Sequence, residues 1–176
     1  MQQILDALNP LCGLKLARSR NAGSMKNFQF GPIRKHPSGK GTVGQYALHI
    51  HCPWRLARIS ETRVIITGSS DWWIPAEQND DMDWEDWDKN RPTLSLQQSA
   101  LAELFQQYDT DTKSWVNISD LLVVQRVNSD DYGGLDIHLS GGYRLQSFPS
   151  GKSGEAWRLF QAGTQEPSFS DGRWCP

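Results

Sequence analysis

The stretch Leu135-Asp-Ile-His-Leu-Ser-Gly-Gly-Tyr-Arg-Leu-Gln-Ser147 decides the fold class. Leu135, Ile137 and Leu139 alternate with polar residues, the period-two pattern of a strand with one buried face. Gly141-Gly142 supplies the positive φ angles that a tight hairpin needs. Tyr143, Leu145 and Ser147 then face one way on a returning strand. Working outward, Leu121 to Val127 predicts a preceding strand. The loop Pro149 to Gly154 leads to a further β segment around Trp157, Leu159 and Phe160. The last third of the chain therefore reads as an antiparallel meander.

The same alternation recurs upstream. Leu14 and Leu16 alternate with Lys15 and Ala17, and Phe28 and Phe30 with Asn27 and Gln29, before the stop at Gly31-Pro32. Pro32 to Gly41 reads as a hairpin loop, being rich in Pro, Gly, Ser and Lys. The strongest predicted strand runs from Val43 to Arg55, with Tyr46, Leu48 and Ile50 on one face and Ala47, His49 and His51 on the other. Val64 to Ile66 is another β-rich segment, closed by Gly68-Ser69-Ser70.

Two helices are predicted. Ile4, Leu5 and Leu8 share one face of a short N-terminal helix that Asn9-Pro10 should end. Ser95 with Gln98 matches a capping box. Leu101, Leu104, Phe105 and Tyr108 follow at i, i+3, i+4 and i+7, so a longer helix should span about 95 to 109. The expected fold is α+β, mainly antiparallel sheet, in one domain over 1–176 with an acidic Trp-rich insert at about 71–92.

At 176 residues with 38% apolar content, the chain can bury one sizeable core. Its longest apolar run is Leu121 to Val124, far short of the roughly 20 residues of a membrane-spanning helix. The N-terminus lacks the pattern of a secretory signal. Cys12, Cys52 and Cys175 offer no disulfide framework or CxxC metal motif. A cytoplasmic location is therefore expected, with no membrane partner and no cofactor.

The net charge of −2 hides a division. Residues 1 to 63 carry ten Lys/Arg against Asp6 and Glu61, while the remainder carries eight against eighteen acids. The acids concentrate where periodicity disappears: Glu77, Asp80, Asp81, Asp83, Glu85, Asp86 and Asp88, with Trp84 and Trp87 among them and Trp72 and Trp73 upstream. The run lacks the glycine and distant glutamate of an EF-hand. Crowded carboxylates repel one another, and a cationic partner relieves that repulsion while speeding association. Tryptophan is enriched at binding hot spots. Residues 77 to 88 are therefore the predicted partner-binding segment, weighed against a solvated loop that its tryptophans pin to the core.

Other constellations are weaker. His49 and His51 share a strand face, which suits a metal or hydrolytic site only if a third ligand such as His138 joins them. Cys52 shows no thiolate-stabilising context and reads as a small apolar residue. Ser38-Gly39-Lys40-Gly41 lacks the spacing of a phosphate-binding loop. The basic half (Lys15, Arg18, Arg20, Lys26, Arg34, Lys35 and Lys40) could bind nucleic acid with Phe28 and Phe30 for stacking, although their alternation favours core packing. No catalytic residue is assigned.

Several phrases resemble one group of proteins: Leu11-Cys-Gly-Leu-Lys-Leu, Arg20-Asn-Ala-Gly-Ser-Met-Lys-Asn-Phe-Gln-Phe-Gly and Gly44-Gln-Tyr-Ala-Leu-His-Ile-His-Cys-Pro-Trp-Arg. Gly134-Leu-Asp-Ile-His-Leu-Ser-Gly-Gly-Tyr-Arg-Leu-Gln-Ser-Phe-Pro and Glu155-Ala-Trp-Arg-Leu-Phe belong with them. They resemble short bacterial cytoplasmic proteins of uncharacterised function, over most of the chain apart from 74 to 120. Such proteins are similar in style to immunity proteins that neutralise antibacterial toxins. That resemblance implies a basic toxin domain as partner, occluded by the acidic segment, and transfers no catalytic residues.

Overall fold

The computed structural model describes residues 2–23, 25–36, 39, 41–60, 62–76, 94–150, 154–164 and 169–170. The fold is α+β and mainly antiparallel. Helix α1 (Gln2–Leu8) precedes strands β1 (Leu16–Ala22), β2 (Met25–Phe30), β3 (Arg34–Lys35), β4 (Thr42–Val43), β5 (Tyr46–Ile50), β6 (Trp54–Ile59) and β7 (Arg63–Gly68). Helix α2 (Leu96–Phe105) follows, then β8 (Gln106–Asp109), β9 (Ser114–Asn117), β10 (Val124–Ser129), β11 (Leu135–Leu139), β12 (Tyr143–Ser147), β13 (Trp157–Gln161) and β14 (Phe169–Ser170). One sheet has the order β14-β13-β5-β2-β1-β9-β8, a second has β10-β11-β12-β6-β7, and β3 pairs with β4 alone. Among the described residues no helix is long and apolar enough to cross a membrane.

The inner faces of the two large sheets share one core. Phe28, Phe30, Leu48, Trp157 and Leu159 from the first meet Leu56, Ile137, Leu139 and Leu145 from the second, most with no exposed surface. Each such side chain contributes about 1.5–3 kcal/mol relative to exposure. Phe28 meets Trp54 edge-on across the sheets, with ring centroids 5.1 Å apart. The Trp157 indole donates to the Gly133 carbonyl at 2.7 Å, joining β13 to the turn before β11. The hairpin that decided the fold class is present: Leu135, Ile137, Leu139, Tyr143 and Leu145 all point inward. Its turn demands glycine, because Gly142 has φ +79° and an added Cβ would strike the Ile59 carbonyl.

Three boundaries differ from expectation. The strand predicted over Val43–Arg55 is divided among β4, β5 and β6, and β6 lies in the other sheet. The crossing occurs at His51-Cys52-Pro53, where proline has no amide to offer a ladder. The longer helix stops at Phe105 because Gln106 takes a left-handed φ of 71°. Tyr108 therefore leaves the helical stripe, joins β8 and packs edge-on against Trp115. Leu122 likewise has φ 67°, so the strand expected from Leu121 begins at Val124.

Removing the inter-sheet bond tests this packing. Trp157→Phe keeps an aromatic ring but strands a buried carbonyl, and should lower unfolding stability by about 1–3 kcal/mol. Urea denaturation measures it, and an unchanged midpoint contradicts the bond.

Candidate functional site

The predicted partner-binding residues Glu77, Asp80, Asp81, Asp83, Trp84, Glu85, Asp86, Trp87 and Asp88 lie outside the described residues. Their attachment does not. Upstream, Ser70–Trp73 form a short 3-10 turn. Asp71 organises it: its carboxylate accepts from the Gly68 amide at 2.8 Å and the Thr67 hydroxyl at 3.0 Å. Downstream, the Leu96 amide donates to the Ile74 carbonyl at 2.7 Å, and the Ala76 amide donates to Leu94 at 2.8 Å. Pro75 and Ser95 form an antiparallel bridge. The chain on either side of the acidic run is therefore clamped together at one place.

Helix α2 starts from this clamp with the expected capping box. The Gln98 amide donates to Ser95 Oγ at 3.2 Å, and the Ser95 amide donates to Gln98 Oε1 at 2.9 Å. Gln97, in the first turn, donates to the Gly68 carbonyl at 2.9 Å. Its Oε1 accepts from Lys26 Nζ at 2.9 Å and from Asn21 Nδ2 at 3.2 Å. Lys26 also donates to Asn21 Oδ1 at 2.7 Å. These three side chains tie β1 and β2 to the end of β7 through α2. A groove of ≈320 Å³ runs beside them, lined by Lys26, His51, Cys52, Trp54, Trp72 and Trp73 among others. Trp73 is 54% exposed there.

Lys26, counted with the basic half as a candidate nucleic-acid contact, does not face solvent. It alternates in phase with Phe28 and Phe30, so it enters the inner face of β2 and is 4% exposed. Its ammonium lies 5.7 Å from the Phe28 ring centroid and 5.5 Å from that of Trp54. Burial pushes its pKa down to about 7. Phe28 and Phe30 are fully buried and Arg18 nearly so. The stacking surface imagined for nucleic acid is therefore core.

Arg18 instead donates to Asp109 at 3.2 Å and to the Thr42 hydroxyl at 2.9 Å. Among the described residues, it is the member of the basic N-terminal half that pairs with a carboxylate. The other pairs, Arg144–Asp136, His138–Asp136 and Arg158–Glu155, lie within the acidic part.

The histidines do not converge. His49 occupies the outer face of the first large sheet, and His51 is exposed just beyond its strand. His138 is on the second sheet, within reach of Asp136, Asn128 and Arg126. Among the described residues no three potential metal ligands come together. Cys52 is half-buried against the core, as a small apolar residue would be. Compared with protein-family models, curated proteins and solved structures, the chain matches none.

The lysine gives a signed pH prediction. Unfolded, Lys26 has its ordinary value of 10.5; folded, it has lost its proton above about 7. Between those values the unfolded chain binds more protons, so this contribution to stability rises with pH. The stability of the native chain relative to Lys26→Met should grow between pH 7 and pH 10 by up to ~1.4 kcal/mol per unit. Urea titrations of both proteins across that range check it, and parallel pH curves contradict it.

Proposed function

We propose that the chain is a binding protein of the immunity type, which neutralises a bacterial toxin by covering its active site. The contact is made by residues 77 to 88, with seven acids and two tryptophans. The observation that carries the reading is the clamp formed by Ile74–Ala76 and Leu94–Leu96. It presents a long acidic run from a single root, backed by the 3-10 turn of Asp71 and by a capped helix. Exposed Trp73 at that root adds apolar surface of the same kind as the tryptophans of the segment. A basic catalytic domain, whose own substrate is anionic, is the complementary partner. It would be met in the cytoplasm of the cell that makes both proteins.

Such an interface is fast and salt-sensitive, because exposed charges are screened within roughly 8–10 Å at physiological ionic strength. The test is co-expression with a basic nuclease-type toxin domain as the candidate partner, followed by binding kinetics on the purified pair. Reversal of Asp80, Asp81, Asp83, Glu85 and Asp86 to lysine should slow association at least about tenfold and abolish protection of the host. Raising salt should reproduce the kinetic effect. Reversals that leave association and protection unchanged remove this segment from the interface.

A further inference from the structure

The outer face of the seven-stranded sheet carries a second feature, independent of the acidic segment. Cross-strand register places Arg158, His49, Asn27 and Arg20 in one row over β13, β5, β2 and β1. The neighbouring row holds Phe160, Ala47, Gln29 and Arg18. Residues this polar would ordinarily face water. Here three segments rise around them: the β3–β4 hairpin, the turn Asp111–Lys113 and the loop 162–164.

These walls are fastened to the sheet. The Arg18 guanidinium donates to Thr42 on the hairpin and to Asp109 at the start of the turn. Gln29 Oε1 accepts from the Gly44 amide at 2.9 Å. A Cβ on Gly44 would lie 2.9 Å from the Gln29 Cβ, so glycine is what lets the chain leaving the hairpin lie on β2. The result is a cavity of ≈590 Å³, within the range that holds a small-molecule ligand.

Its floor contains unmet hydrogen-bonding capacity. Asn27 is 2% exposed, and its Oδ1 is buried with no partner. His49 Nδ1, on the paired strand, is also buried without one. Leaving such groups unmatched forfeits the hydrogen bonds that water would give them, so the pair is suited to a ligand that completes them. The Phe160 ring packs against His49 with centroids 4.8 Å apart and offers an apolar face. Arg20 and Lys113 stand exposed at the mouth, opposed on the rim by Asp111. Neither cation forms an ion pair among the described residues.

We propose that this cavity binds a small anion carrying a planar, hydrogen-bonding ring, the chemistry of a nucleoside monophosphate. Asn27 and His49 take the edge of the ring, as a side-chain amide reads a base through its paired donor and acceptor. Phe160 takes its face. Arg20 and Lys113 take the phosphate, which guanidinium groups bind by charge-assisted hydrogen bonds. Burial first, then the positive charge of Arg158, His51 and Arg20, holds the His49 pKa down to about 4. At neutral pH its ring therefore keeps one donor and one acceptor nitrogen.

The experiment is calorimetric titration of the intact chain with AMP, GMP, CMP and UMP, alongside adenosine and inorganic phosphate. At least one nucleotide should bind saturably, and more tightly than adenosine or phosphate. Ala47→Leu, which fills the floor, should abolish that binding. Arg20→Glu, at the exposed mouth, should weaken it at least about tenfold without moving the thermal midpoint. This second variant keeps the test decisive if Ala47→Leu does not fold. The proposal is overturned if no nucleotide gives saturable heat, leaving a hydrated polar pocket. It is equally overturned if phosphate alone binds as tightly, or if Arg20→Glu leaves affinity unchanged.

Discussion

Strands β2 and β5 are covered on both faces, and the period of two along them separates two chemistries. On the inner side Phe28, Phe30, Leu48 and Ile50 have almost no exposed surface. On the outer side Asn27, Gln29, Ala47 and His49 are enclosed by the β3–β4 hairpin and the Asp111–Lys113 turn, both fastened by Arg18, and by the loop 162–164. A register slip of one residue would exchange the two sets, moving aromatic rings into the polar cavity and amides into the core. Both the shared core and the outer cavity therefore depend on the same pairing of Phe28 with Leu48 and Asn27 with His49.

Lys26 marks where the inner face of β2 gives out. One residue pair beyond Phe28 the core ends in a polar knot rather than in solvent, with Asn21 and Gln97 receiving the ammonium. Gln97 belongs to the first turn of α2, and that turn adjoins the clamp from which the acidic segment departs. A buried lysine is costly unless hydrogen-bonded. Its use here fixes α2, and hence the root of residues 77 to 93, onto the centre of the first sheet. The proposed binding segment is then presented from a rigid base.

What the sequence revealed was local. The β11–β12 hairpin and the Ser95–Gln98 capping box were legible because their determinants sit within a few residues of one another. The division of Val43–Arg55 was not, since apolar alternation continues through Cys52-Pro53 while the chain changes sheets. The end of α2 was missed because Tyr108 suits a helical stripe as well as a strand facing Trp115. The cavity was invisible for a similar reason: Arg20, Asn27, His49 and Lys113 converge only once β5 pairs with β2 and the β8–β9 turn folds over them. Asn27 and Gln29 alternate with Phe28 and Phe30 as the outer face of a half-exposed strand does, and their burial follows only from the segments packed over them. The acidic segment was conspicuous in composition alone, without periodicity to say how it is held.

The central claim is that this anionic excursion, held at one root, is the working surface of the molecule. Amide hydrogen exchange of the intact chain, alone and mixed with the basic toxin domain proposed as its partner, tests it most directly. The account predicts slowed exchange across residues 77 to 93 and at the root, 70–76, with little change in the β3–β4 hairpin. Protection confined to the hairpin or to the outer sheet face, with 77 to 93 exchanging as before, would contradict it.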